Sequence, residues 1–330
     1  MLMRLLGLAI GVAMGCGNVN PFTAKLSPDA ASVDDASVDD AELHAPPVDA
    51  GSIDAPPPPP PCDLAKPFGT PSRVAGVNST ADETQAALSW DELTIYVSSA
   101  RAGGVGAADL YAATRTTKSG SFGALSRVAV VNSIASDESP SVTKDGLNLY
   151  FASTRAAGAT FDLYVAARMT TAAEFGPPSL IAGLNTTTAL DGSPYINAGG
   201  TVLYFDSDRG GNREIYRAAR ATSTVAFDPP TLVGALNSPT AADKYPVVSS
   251  DELSVYFGSD RPGGLGIFDI WEAHRTTTSD GFGSPKLATN LNSVATDLPV
   301  WISADGCRLL LTSDRAGGTG GRDIYIASRP

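Results

Sequence analysis

From residue 62 to residue 330 the chain is written in short runs that alternate apolar and polar positions, broken by turn residues. Along Leu147–Ser153, Leu147, Leu149 and Phe151 face one way and Asn148, Tyr150 and Ala152 the other. That period of two predicts β-strands, and aromatics on both sides imply that both sheet faces are covered. No stretch carries helical spacing with caps. The second unit contains four such runs: Ser139–Thr143, Leu147–Ser153, Asp162–Ala167 and Phe175–Ile181. The first two are joined by Lys144-Asp145-Gly146, where glycine supplies the positive φ of a tight turn. The same sentence recurs five times, Asp-Gly…Leu-Tyr-Phe-x-Ser-Asp-Arg-x-Gly-Gly…Asp-Ile-Tyr-x-Ala-x-Arg. Its arginines are Arg101, Arg155, Arg209, Arg261 and Arg315, in steps of 54, 54, 52 and 54 residues. Units of that length stack because none buries its own faces. Four-stranded units repeated around an axis predict an all-β, five-bladed β-propeller.

The positions of the Phe-Gly run predict how the ring closes. It appears at Phe68, Phe122, Phe175, Phe227 (followed by Asp228) and Phe282, so the first copy precedes the first complete unit. The chain stops just after the last third strand. Phe68–Val74 is therefore expected to be the outermost strand of blade five, beside Asp323–Ala327, which removes an exposed sheet edge. Cys62 precedes this strand, and Cys307 lies in the turn between strands one and two of blade five. Both fall on one face of the ring, within reach of each other, and a Cys62–Cys307 disulfide is expected to clamp the seam.

Eighteen residues before each repeat arginine stands an acid: Glu83, Asp137, Asp191, Asp243 and Asp297, with Asp82 an alternative to Glu83 if blade one is bulged. Antiparallel pairing brings each acid to its arginine on one rim, where carboxylate–guanidinium pairs suit the geometry. A further acid opens each third strand: Asp109, Asp162, Glu214, Asp269 and Asp323. These residues are candidates for a ligand-facing rim, and equally for a salt bridge that every blade uses to pin its loops. A feature present in all blades is explained by what all blades share. A single site should instead appear as departures from the repeat: Asp206, Trp271, His274, Trp90 and Trp301. No metal site is assigned: His274 is the domain's one histidine, and the oxygen-rich Gly103–Asp109 loop, the one candidate for Ca2+, lacks the dense carboxylates of a marked calcium loop. No Ser–His–Asp set can be assembled, and no catalytic residue is assigned.

The Ser313-Asp314-Arg315 and Asp323-Ile324-Tyr325 pattern, paralleled in every unit, resembles the TolB-like, WD40-like propeller repeat of bacterial envelope proteins. The resemblance covers about residues 68–330 and implies fold and an envelope setting. It does not imply a Tol–Pal role, because the family's namesake has six blades and an extra N-terminal domain.

Composition divides the rest of the chain. Residues 1–16 have a short basic start and an apolar run ending at Ala13-Met14-Gly15-Cys16, a signal peptide that resembles a bacterial lipobox with Cys16 as the lipidated residue. Residues 17–61 hold seven aspartates, Glu42, one lysine and no arginine, and end in six prolines, Pro56–Pro61. Such a segment predicts a disordered, extended tether. Gly17 in place of an aspartate after Cys16 points to the outer membrane. A net charge of −12 without a basic stripe excludes a nucleic-acid partner. The expected function is a membrane-tethered envelope propeller that holds a protein or a glycan. The alternative is a carbohydrate-active enzyme of glycosidase type, using funnel carboxylates such as Asp137, Asp191 and Asp243.

Overall fold

A computed structural model describes residues 62–156 and 160–330. The signal segment, Cys16 and the tether lie outside the described residues. Strand β1 is Ser72–Arg73. Blade one comprises β2 (Glu83–Leu88), β3 (Thr94–Ser99), β4 (Asp109–Thr114) and β5 (Ser126–Arg127). Blade two comprises β6 (Asp137–Val142), β7 (Asn148–Ser153), β8 (Asp162–Ala167) and β9 (Ser179–Leu180). Blade three has β10 (Asp191–Ile196), β11 (Val202–Ser207), β12 (Glu214–Ala219) and β13 (Thr231–Leu232). Blade four has β14 (Asp243–Val248), β15 (Ser254–Ser259), β16 (Asp269–His274) and β17 (Lys286–Leu287). Blade five is β18 (Asp297–Ile302), β19 (Arg308–Ser313) and β20 (Asp323–Ser328), completed by β1 in the order β1-β20-β19-β18.

The seam closes as the repeat predicts. Ser72 pairs with Ile326 and Arg73 with Tyr325. The paired strand is shorter than Phe68–Val74, since Pro67 and Pro71 have no N–H to give a ladder. Contact nevertheless extends along the segment: Gly69 N–H donates to Ser328 O (2.8 Å) and Val74 N–H to Ile324 O (3.0 Å). Every outer strand repeats this pattern of a two-residue pairing plus flanking bonds. Its phenylalanine is buried in each blade, at Phe68, Phe122, Phe175, Phe227 and Phe282. The Cys62–Cys307 disulfide is present, with Cα atoms 5.7 Å apart across 245 residues of sequence.

Blades are joined at the axis by backbone. The N–H of each acid that opens an inner strand donates to the residue before the previous blade's third strand. These bonds run from Glu83 to Arg322 O, Asp137 to Ala108 O, Asp191 to Phe161 O, Asp243 to Arg213 O and Asp297 to Phe268 O, all 2.8–2.9 Å. Apolar side chains such as Tyr204, Phe151, Phe205 and Phe257 fill the space between sheets and are fully buried.

The face of the ring opposite the acid–arginine pairs carries a second repeated arginine, one per blade. Arg115, Arg168, Arg220, Arg275 and Arg329 each lie over the outer-strand phenylalanine, 4.0–4.5 Å from the ring centroid. Four of them also reach a tyrosine hydroxyl of the preceding blade, as Arg329 does at Tyr256 (2.7 Å).

Candidate functional site

The repeated acids and arginines form a closed structural belt. Arg101 pairs with Glu83 (2.9 Å), Arg209 with Asp191 (2.5 Å), Arg261 with Asp243 (2.6 Å) and Arg315 with Asp297 (2.5 Å), and Arg155 pairs with Asp137. All five carboxylates are fully withdrawn from solvent. Their second oxygens are occupied too. Asp191 Oδ2 accepts Thr186 N–H (2.7 Å), Asp243 Oδ2 accepts Ser238 N–H (2.6 Å), and Ser79 N–H donates to Glu83 Oε2 (2.8 Å). Each guanidinium also donates to a loop carbonyl, Val77, Val131, Leu184, Leu236 or Leu291, and to the serine of its own Ser-x-Arg. It rests on the aromatic ring of Asp-Ile-Tyr, which is Trp271 in blade four. Buried charges persist only when paired and hydrogen-bonded in this way. In blade one Glu83 takes the arginine, while Asp82 accepts Arg322 N–H (3.0 Å).

The third-strand acids turn inward on their loops. Asp109 Oδ2 accepts Val105 and Gly106 N–H, and Asp269 Oδ2 accepts Leu265 and Gly266 N–H. Burial raises the Asp269 carboxyl above its ordinary range, against those amide bonds. Among the described residues no three histidine, cysteine or acidic side chains converge as metal ligands.

The axial channel is narrow. Its waist, a cavity of about 20 Å³ lined by residues such as Gln85, Pro140, Pro194, Tyr245 and Pro299, contains no carboxylate. Below it, Tyr195 and Trp301 border a second cavity of about 40 Å³ on the turn-bearing face. Burial among its neighbours pushes the hydroxyl of the half-buried Tyr195 far above the usual tyrosine range.

The blades differ at the channel mouth on the belt face. Two sequence slots meet there: the second residue of each inner strand (Thr84, Glu138, Gly192, Lys244, Leu298) and the residue before each third strand (Ala108, Phe161, Arg213, Phe268, Arg322). Gly192 is a gap that its neighbour fills, since a Cβ there would meet the Arg213 guanidinium at 3.2 Å. Arg213 pairs with Asp206 (2.6 Å), whose other oxygen accepts Tyr245 N–H from the next blade (3.0 Å). The extra acid of blade three thus has a defined task. It joins blades three and four where Ser98, at the same place in blade one, accepts Ser139 N–H. Glu138 reaches across to Thr84, whose hydroxyl donates to Oε2 (3.2 Å). Burial raises the Glu138 carboxyl, while Thr84 and the charges of Arg322 and Arg213 draw it down. Lys244 lies over the Phe268 ring at 3.6 Å. Burial and the positive charge of Arg213 lower its ammonium to about 8, with Asp206 opposing and Arg322 adding to the repulsion. Tyr245 is pushed up to about 12, mainly by burial.

The remaining departures scatter. His274 is exposed, with Nδ1 bonded to Ser254 Oγ (2.9 Å). Trp90 borders a groove of about 540 Å³ between blades one and two and carries Lys144 over its ring at 4.8 Å. Of the residues at the mouth, sequence reading singled out Asp206 and missed Glu138, Lys244, Arg213 and Arg322. Comparing the five copies slot by slot, rather than by residue rarity, would have found them.

No protein-family model matches the chain, and no curated protein matches it. Among solved structures it is similar to TolB from Acinetobacter baumannii, at 16% identity and a TM-score of 0.43, covering 75% of this chain and 55% of that one. The chain therefore spans about half the length of that relative. It is also similar to a thermostable family-43 glycoside hydrolase, at 13% identity and TM-score 0.51, covering 77% of this chain and 92% of that one. Zg3597, a family 117 glycoside hydrolase produced by the marine bacterium Zobellia galactanivorans, is similar at 10% identity and TM-score 0.52, with 80% and 90% covered. What the chain shares with them is the propeller fold. Activity does not follow from fold at such identities, so function must be argued from the site.

Proposed function

We propose that this chain is a binding propeller of the bacterial cell envelope, held to the outer membrane by a lipid on Cys16. On this reading the channel mouth on the belt face receives a protein or glycan ligand. The observation that carries it is the division of labour among polar residues. The acids and arginines of the belt, repeated in every blade, are consumed by intramolecular bonds, while Glu138, Lys244, Arg213 and Arg322 differ between blades and meet at one mouth. The disulfide supports an oxidising compartment outside the cytoplasm. The test is capture from envelope extract by the full chain. A stoichiometric partner held by the wild type and lost by the Lys244→Met/Arg322→Gln double variant is expected. Retention by that variant would contradict the reading. For the anchor, Cys16→Ser should move the chain from the detergent phase to the aqueous phase.

A carbohydrate-active enzyme is the second reading, favoured by one observation: Glu138 at the mouth has a carboxyl raised by burial, as a general acid requires. Glycosidic hydrolysis also needs a second, free carboxylate. Asp206 is locked by Arg213 and Tyr245 N–H, and Asp137, Asp191 and Asp243 are locked in the belt. Glycan turnover abolished by Glu138→Gln would establish this reading instead.

A further inference from the structure

We propose that the ligand group seated at the channel mouth is an acidic sugar, a hexuronate, whose carboxylate lies between Lys244 and Arg322 and whose hydroxyls donate to Glu138 and Gln85. The inference rests on the reading of this mouth as the binding site and names its chemistry. Three cationic side chains, Arg213, Lys244 and Arg322, meet there with the carboxylates of Asp206 and Glu138, and Asp260 acts on Lys244 from nearby. Asp206 neutralises Arg213 directly, whereas among the described residues Lys244 and Arg322 form no ion pair. Two cations are thus left without a carboxylate in contact, on a chain of net charge −12. Two cations sheltered from water, with a third beside them, favour a carboxylate, and the fork of Arg322 suits its two oxygens.

The acceptors narrow the class. Glu138 accepts from Thr84 on Oε2 and from the Ser136 side chain, and its carboxylate keeps room for a further donor. One residue deeper on β2, Gln85 is buried, and its Oε1 has no hydrogen-bond partner while bordering the waist cavity. A buried acceptor without a donor is costly, and the group that satisfies it must carry O–H or N–H. Inorganic phosphate or sulfate satisfies the cations but offers few donors to Glu138 and Gln85. A neutral sugar satisfies the acceptors but leaves the cations unmatched. A sugar ring bearing a carboxylate supplies both. The waist holds no more than about one water molecule, so the ring sits on the mouth and does not pass through.

Isothermal titration of the full chain with glucuronate, glucose and inorganic phosphate tests this. Saturable binding of glucuronate is expected, with glucose and phosphate weaker by about tenfold or more. Lys244→Met and Arg322→Gln should each weaken glucuronate by about tenfold without lowering the melting temperature. Arg322→Gln, whose backbone bonds are untouched, serves if Lys244→Met unfolds. Equal affinity for glucose, tighter binding of phosphate, or indifference to both substitutions overturns the proposal. Absence of glucuronate binding alongside partner capture that still depends on Lys244 and Arg322 removes the acidic sugar and leaves the binding reading intact.

Discussion

The belt and the mouth lie on the same face of the ring and use the same kinds of residue, yet they obey opposite rules. In the belt each blade repeats one arrangement, with a buried carboxylate whose two oxygens are both engaged and an arginine resting on an aromatic ring. At the mouth no two blades present the same pair of side chains, and two cations lack carboxylate partners. Repetition marks what closes the ring. On the proposed reading, variation marks what is left to meet a ligand.

That contrast can be broken most forcefully at the seam. Cys307→Ser, or reduction, opens a loop of 245 residues and should cost about 5.5 kcal/mol on the chain-entropy account, read as a fall in denaturation midpoint. No loss would mean that the outer-strand pairing suffices to hold the ring. Next comes the belt. Asp191→Ala strands the Arg209 guanidinium and should destabilise by about 3–5 kcal/mol, with the equivalent change at Asp243 costing a similar amount.

The mouth should respond to pH rather than to denaturant. Lys244 faces Arg213, Arg322, Asp206 and Asp260, and its ammonium is lowered from 10.5 to about 8. A lysine depressed in the folded state binds fewer protons there than in the unfolded chain between those two values. Lys244's contribution to stability therefore rises with pH across that window. Anion binding has the opposite sense, strongest below about 8 and fading above it. Both trends should flatten in Lys244→Met. The smallest effect sharpens the comparison from the structural side. Val130, exposed at a φ of 62°, occupies the place held by Gly76 and Gly183 in other blades. Val130→Gly should stabilise by about 1 kcal/mol by relieving that strain, measured as a rise in melting temperature.

The belt was legible in the sequence because it repeats. Five acids eighteen residues before five arginines define register, rim and pairing at once, and the displaced Phe68 copy gives the closure. Glu83 rather than Asp82 pairs, as the eighteen-residue spacing gives, because Glu83 faces Ser99 in the register in which Asp137 faces Ser153. The mouth was less legible for a physical reason. Its residues come from slots 21–24 positions apart within a blade, such as Glu138 and Phe161 or Lys244 and Phe268, and they meet only after five blades close. Asp206 drew notice as an added charge, but its partners Arg213 and Tyr245 N–H belong to the three-dimensional junction of two blades.

The most direct measurement is a set of glucuronate titrations into the wild type, Arg209→Lys and Lys244→Met, at a temperature where all three are folded. Arg209→Lys should bind as the wild type does despite a lower melting temperature, and Lys244→Met should bind about tenfold more weakly at one no lower than the wild type's. Loss of binding through the belt substitution with full binding retained at the mouth variant would contradict the division between the two.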